Sequence, residues 1–128
     1  MKLYKIGSVA FIVLGALHLV AHFAGNANPS SEILAVLRQM KNLKIELLGT
    51  HDFLKFHNGF SIMMGFLLSV FGFQNLMIAD VVTKKLLISS IVITIILLLL
   101  SMLYFHLLAT AFFAISLICY LIFYKQIS

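Results

Sequence analysis

The chain is short of the side chains that most soluble enzymes use for chemistry. Of its 128 residues, four are carboxylates, one is a cysteine and only 10% are charged. Paired-carboxylate acid-base catalysis has little to draw on, and Asp80 stands apart from Glu32, Glu46 and Asp52. The lone Cys119 excludes an intramolecular disulfide and any thiol-only metal site, and reads as a small core residue. There is no Gly-x-Ser-x-Gly elbow, no glycine-rich phosphate loop and no Cys-x-x-Cys-His attachment site for a c-type haem. The net charge of +5 comes from scattered lysines and one arginine with no basic run among exposed aromatics, so it does not point to nucleic acid.

Apolar residues dominate: 62% of the chain is hydrophobic and the mean hydropathy is +1.12. A membrane-crossing helix takes about 20 apolar residues to span roughly 30 Å of hydrocarbon. Four such windows occur, joined by modest polar segments. The expected fold class is therefore all-α: a four-helix transmembrane bundle, one integral membrane domain over residues 1–128. An additional amphipathic interfacial helix lies between helices 1 and 2, and the lipid bilayer is the first partner. The spans are expected at about residues 6–24, 53–79, 86–103 and 106–123. The N-terminal stretch also has the look of a secretory signal peptide ending near Ala21-His22-Phe23-Ala24, but its apolar run is longer than a typical signal core and reads as a retained helix.

Gly25-Asn-Ala-Asn-Pro29 breaks the first span. Residues 31–48 then read as an amphipathic helix, with Ser30 or Ser31 as N-cap and Glu32 in the first turn. Apolar Ile33, Leu37, Met40 and Leu47 are set against Arg38, Lys41, Lys44 and Glu46. Such a segment is too charged to cross and lies in the interface or over the bundle. From Leu86 to Phe123 no residue carries a formal charge. One helix of that length would reach about 57 Å at 1.5 Å per residue, so the run must fold back. The polar cluster Ser101-Met-Leu-Tyr104-Phe-His106 places the turn near residues 102–106.

Four crossings put Lys2, Lys5, Lys84, Lys85 and Lys125 on one side and Arg38, Lys41, Lys44 and Lys55 on the other. The second group is diluted by Glu32, Glu46 and Asp52, so the positive-inside rule places both termini in the cytoplasm. Tyr4, Tyr120 and Tyr124 are expected in an inner interfacial belt and Tyr104 in an outer one.

All five histidines then fall on the outer edge. His18 and His22 are one helical turn apart on helix 1, His51 and His57 open helix 2, and His106 opens helix 4. His57, Ser61, Gly65 and Ser69 recur every four residues and continue close to Gly72, a stripe of small residues that lets another helix approach. His106, Thr110 and Ala114 repeat the pattern, and Gly15 lies one turn below His18. These stripes predict that His18, His22, His57 and His106 point into the bundle. His51, Asp52, Asn58 and Ser61 stand ready as supporting hydrogen-bond partners. Imidazoles so arranged suit haem b, or a transition metal ion such as iron, copper or zinc. The His-x-x-x-His pair lacks the glutamate of zinc hydrolases, since Leu19 follows His18. Each histidine also has a plain reading as an interfacial hydrogen-bonding residue, and Gln74 and Asn75 read as interhelical glue.

Gly15-Ala-Leu-His18, Phe56-His57-Asn-Gly-Phe-Ser-Ile-Met-Met-Gly65 and Gly72-Phe-Gln-Asn75-Leu together resemble a group of small bacterial four-helix membrane proteins. The resemblance spans about half the chain. It implies the same four-helix topology, a bacterial inner-membrane location and a shared histidine near the start of helix 2, but no activity. Two functions are expected from the residues. The first is a haem- or metal-binding membrane protein that carries electrons or does redox chemistry on a lipophilic substrate such as a quinone. The second is an accessory subunit packed against other membrane subunits or its own copies. Binding of an apolar molecule under the amphipathic helix is a third possibility that needs no metal.

Overall fold

The computed structural model of the chain describes residues 1–27, 29–46, 49–105 and 107–127, without the side chain of residue 26. It is all-α apart from one small hairpin. Helix α1 runs Lys2–Ala27, α2 Ser31–Asn42, α3 Phe53–Met77, α4 Lys84–Tyr104 and α5 Leu107–Ile127. Strands β1 (Lys44–Glu46) and β2 (Thr50–Asp52) sit between α2 and α3, and a 3₁₀ turn at Ala79–Val81 joins α3 to α4. Helices α1, α3, α4 and α5 are long and apolar enough to cross a membrane. The fold-back falls between Tyr104 and Leu107, where the serine-tyrosine cluster placed it.

Several expected boundaries shift, each for a local reason. Helix α4 starts at Lys84 because Thr83 caps it, its hydroxyl accepting from the Leu86 amide at 3.3 Å. Helix α3 is closed at Met77, with Asp80 in the 3₁₀ turn beyond it. The interfacial helix, expected over 31–48, stops at Asn42. Leu43 turns extended and Lys44-Ile45-Glu46 pairs antiparallel with Thr50-His51-Asp52. Gly49 takes φ of 130°, a value L side chains rarely adopt, so a turn here suits glycine. Ser30 caps α2, accepting from the Ile33 amide, and Asp52 caps α3, accepting from the Lys55 amide at 2.7 Å.

Helix α1 is the hub, packed along α3 and α5, while α4 rests on α5 and scarcely meets the other two. The α1–α3 crossing brings backbone onto backbone. A Cβ on Gly15 would collide with the Ser69 hydroxyl and the Gly65 carbonyl, and one on Gly72 would come within 2.6 Å of the Ser8 carbonyl and 2.8 Å of the Ile12 amide nitrogen. Close approach of this kind is what the small-residue stripe on α3 predicts.

At the end of the bundle that holds both termini, a buried polar node joins all four long helices. The Tyr4 hydroxyl donates to Asn75 Oδ1 at 3.0 Å and lies 3.2 Å from Ser90 Oγ. Asn75 Nδ2 donates to the Tyr120 hydroxyl at 3.4 Å, and Ser8 Oγ donates to the Tyr4 carbonyl at 2.8 Å. Tyr4 and Tyr120 are both 0% exposed, with ring centroids 5.0 Å apart. This corrects the expected inner belt: the two tyrosines are core residues, and only Tyr124 keeps an edge position, under the Lys84 ammonium at 5.2 Å. Asn75 is the interhelical glue foreseen for it, whereas Gln74 is exposed. Around the node, Phe11, Leu14, Leu68, Leu87, Phe113 and Phe123 complete the core. An ion pair of 2.8 Å from Lys5 to Asp80 closes this end.

Two substitutions separate the seam from the node. Asn75→Leu strands three hydroxyl partners and should cost about 1–3 kcal/mol. Gly15→Leu must force two backbones apart and should cost about 3 kcal/mol or more. Gly59→Ala, where an added Cβ meets nothing within 4 Å, should leave stability unchanged or slightly raised. Reversible unfolding of the purified protein in mixed micelles, titrated with SDS, measures all three.

Candidate functional site: an apolar cavity with one imidazole

Among the described residues, the histidines do not close into one cluster. His18 is half-buried, and its Nε2 lies 3.0 Å from the Ser61 carbonyl and 3.1 Å from Ser61 Oγ. A carbonyl can only accept, so Nε2 carries the proton. In a neutral ring Nδ1 is then the nitrogen with a free lone pair. His22, also half-buried, sets its ring edge-on to Phe23 at 5.3 Å between centroids. His51 is exposed on β2, opposite Ile45. Asp52 is engaged as the cap of α3, and Asn58 is half-buried. His57 is exposed. His106 lies outside the described residues. Among the described residues, no three histidine, cysteine, aspartate or glutamate side chains come together in a group that could hold a metal ion.

His57 heads the small-residue stripe in sequence yet leaves it in space. A repeat of four on a helix of 3.6 residues per turn drifts by about 40° per step. Two steps on, at Gly65, the row has turned by about 80°, and it is Gly65 and Gly72 that face α1. Ser61, one step before Gly65, is still close enough to the seam to meet His18.

The described elements instead enclose a cavity of about 200 Å³ in the half of the bundle nearer the hairpin. Leu14 and His18 of α1, Met64 and Leu68 of α3, and Ala109 and Phe113 of α5 form its walls. Leu97 and Leu100 of α4, with Phe105 at the turn, close the far side. Its origin is the packing order. Ser90 ties α4 to Asn75 and Tyr4 at the termini end, but toward the turn α4 follows α5 and stands apart from α3. Among the described residues of this lining, His18 is the one with an ionisable side chain. Farther along α4, Thr94 is 0% exposed and donates back to the Ser90 carbonyl at 2.7 Å. Ser101 donates to Thr110 of α5 at 3.1 Å, tying α4 to α5 near the turn.

Sequence reasoning passed over the cavity because no residue pattern encodes the spacing of four helices. It also passed over the buried hydroxyls, although Ser90, Thr94 and Ser101 recur at helical spacing along one face of α4 and could have marked its contact side.

No protein-family model, no curated protein and no solved structure matches the chain.

If Ser61 serves His18 through both its oxygens, Ser61→Ala keeps the carbonyl contact. It should cost about 0.6 kcal/mol, the mean for a hydrogen bond between membrane helices. His18→Leu loses both contacts. A double-mutant cycle on unfolding free energies should return a coupling below about 1.7 kcal/mol, the largest such value expected for membrane helices. A larger coupling would mean that the pair is held by more than these two hydrogen bonds.

Proposed function

We propose that the chain is an integral membrane protein that binds an apolar molecule in the cavity between α1, α3, α4 and α5, with the His18 imidazole as a polar contact. The observation that carries this reading is the cavity itself: almost wholly apolar walls with one imidazole set into them. Pockets for whole small molecules usually measure about 300–1,000 Å³. A volume of 200 Å³ suits part of a ligand, a ring or a length of hydrocarbon chain, with the remainder extending toward lipid beside α4. Nε2 of His18 is committed to Ser61, so a ligand that reaches the other ring nitrogen finds an acceptor. The chemistry favoured is a hydroxyl on an otherwise apolar body, such as a long-chain alcohol, a sterol-like ring or a quinol.

Redox chemistry on a lipophilic substrate fits the same cavity. Haem b or a metal ion has less support, because Nε2 of His18 is occupied and His57 is exposed. An accessory role beside other membrane subunits needs no feature of the cavity. The lysines at the termini end of the bundle support a cytoplasmic location for both termini.

A photoactivatable long-chain alcohol, added to the purified protein in micelles, should label α3 and α4 saturably at peptides containing Met64, Leu68, Leu97 or Leu100. Ala109→Phe fills the cavity and should reduce that labelling about tenfold or more, the effect of losing roughly 1.4 kcal/mol of binding. Labelling that never saturates, or that ignores Ala109→Phe, would remove the reading. An absorption spectrum and elemental analysis of the same sample test haem and metal directly: a Soret band or stoichiometric iron, copper or zinc would restore them. Topology is checked separately. With Cys119→Ser as background, a cysteine at position 2 should resist a membrane-impermeant thiol reagent in intact cells, while one at position 41 should react.

A further inference from the structure

A second concavity, separate from the cavity, lies on the outward face of α3. It measures about 320 Å³ and is lined by His51, Lys55, Phe56, Gly59, Phe60 and Met63. Phe56, Phe60 and Met63 are 43%, 53% and 46% exposed, turned away from the α1 seam. We propose that this groove holds one anionic phospholipid, its phosphate at Lys55 and His51 and an acyl chain along Phe56, Phe60 and Met63. The proposal rests on the membrane location proposed above, and not on the cavity.

Depth favours this occupant. Helix α3 has 25 residues and at 1.5 Å per residue is about 37 Å long, more than the roughly 30 Å of hydrocarbon. Its first turn therefore stands at headgroup level. Lys55 is its third residue, while Phe60 and Met63 lie about 7 and 12 Å farther in. Cationic groups sit where phosphates are, and the apolar wall sits where chains are. Gly59 keeps the wall open, since nothing lies within 4 Å of where its Cβ would be, and the Phe56 and Phe60 rings flank it with centroids 5.0 Å apart.

Charge complementarity selects the headgroup. The neighbouring carboxylate, Asp52, is turned to the Lys55 amide at 2.7 Å as the cap of α3 and is the register partner of Lys44, and among the described residues no ion pair joins it to the Lys55 ammonium. A headgroup that carries its own ammonium, as in phosphatidylcholine, would bring a cation toward Lys55. Phosphatidylglycerol brings none.

Native mass spectrometry of the full chain, released from micelles holding equal amounts of phosphatidylglycerol and phosphatidylcholine, provides the test. Retained phosphatidylglycerol should exceed phosphatidylcholine about fivefold, the scale of one lysine at an anionic lipid surface. Lys55→Gln should abolish the preference, Lys55→Arg should keep it, and Phe60→Ser should lower total retained lipid. Equal retention in the unaltered protein, or a preference that survives Lys55→Gln, overturns the proposal. Displacement of the lipid by millimolar glycerol phosphate also overturns it, since phosphate alone would then suffice. Labelling of the inner cavity by the alcohol probe serves as the fold control and should not change in Lys55→Gln. Lost cavity labelling with lipid preference intact would count against the cavity reading alone.

Discussion

Backbone contact between α1 and α3 sets the geometry of everything else. In lipid there is little hydrophobic gain in bringing two helices together, so association rests on close packing and hydrogen bonds. Gly15 and Gly72 supply the packing by removing the atoms that would hold the helices apart. Once the two axes are that close and antiparallel, His18 has little choice of partner. It lies opposite Ser61, and the Ser61 carbonyl can accept a second bond beyond its helical one. The imidazole is thereby fixed in orientation and in the nitrogen that carries the proton.

The polar node does for the termini end what glycine does for the seam. Tyr4, Asn75, Ser90 and Tyr120 come from four different helices, and each satisfies groups on the others. A buried network with every member paired specifies one arrangement, because any other leaves a polar atom stranded. Among the described residues, no buried side-chain nitrogen or oxygen lacks a partner. Beyond the node α4 is held mainly through α5, by Ser101 and Thr110 and by apolar contact. Gathered at one end and free of α3 at the other, the bundle has its cavity where the constraint is weakest.

The sequence made the four helices legible because composition alone decides them: apolar runs of that length have few alternatives. The turn after Tyr104 was legible from polar residues, even without glycine or proline. What misled was extrapolating short-range pattern. The i, i+4 row that ends in Gly65 and Ser69 was extended back to His57 as if it ran straight, and helical drift had already carried His57 outward. The amphipathic pattern of 31–42 was likewise carried through Lys44-Ile45-Glu46, where the period changes from 3.6 to 2 and a strand begins. Tyr4 and Tyr120 were placed by their distance from the helix ends, which says nothing about which face they occupy. For His57, Tyr4 and Tyr120, position along the helix is legible in the sequence and azimuth is not; for residues 44–46 the element itself changes.

That distinction bears on the histidines as a group. Depth along a helix follows from counting residues, so a shared edge is cheap to arrange and carries little chemical meaning. A shared site needs azimuth as well, and the His18–Ser61 contact has both. The outward azimuth of Lys55 and Phe60 is equally definite, and it leaves both exposed. Two faces of α3 thus divide the work. The inward face takes the backbone of α1 and, through Ser61, orients the single imidazole of an apolar cavity. The outward face presents a cation above an exposed aromatic wall. A helix with glycine on one side and phenylalanine on the other can do both because the small side lets a backbone approach and the large side turns outward.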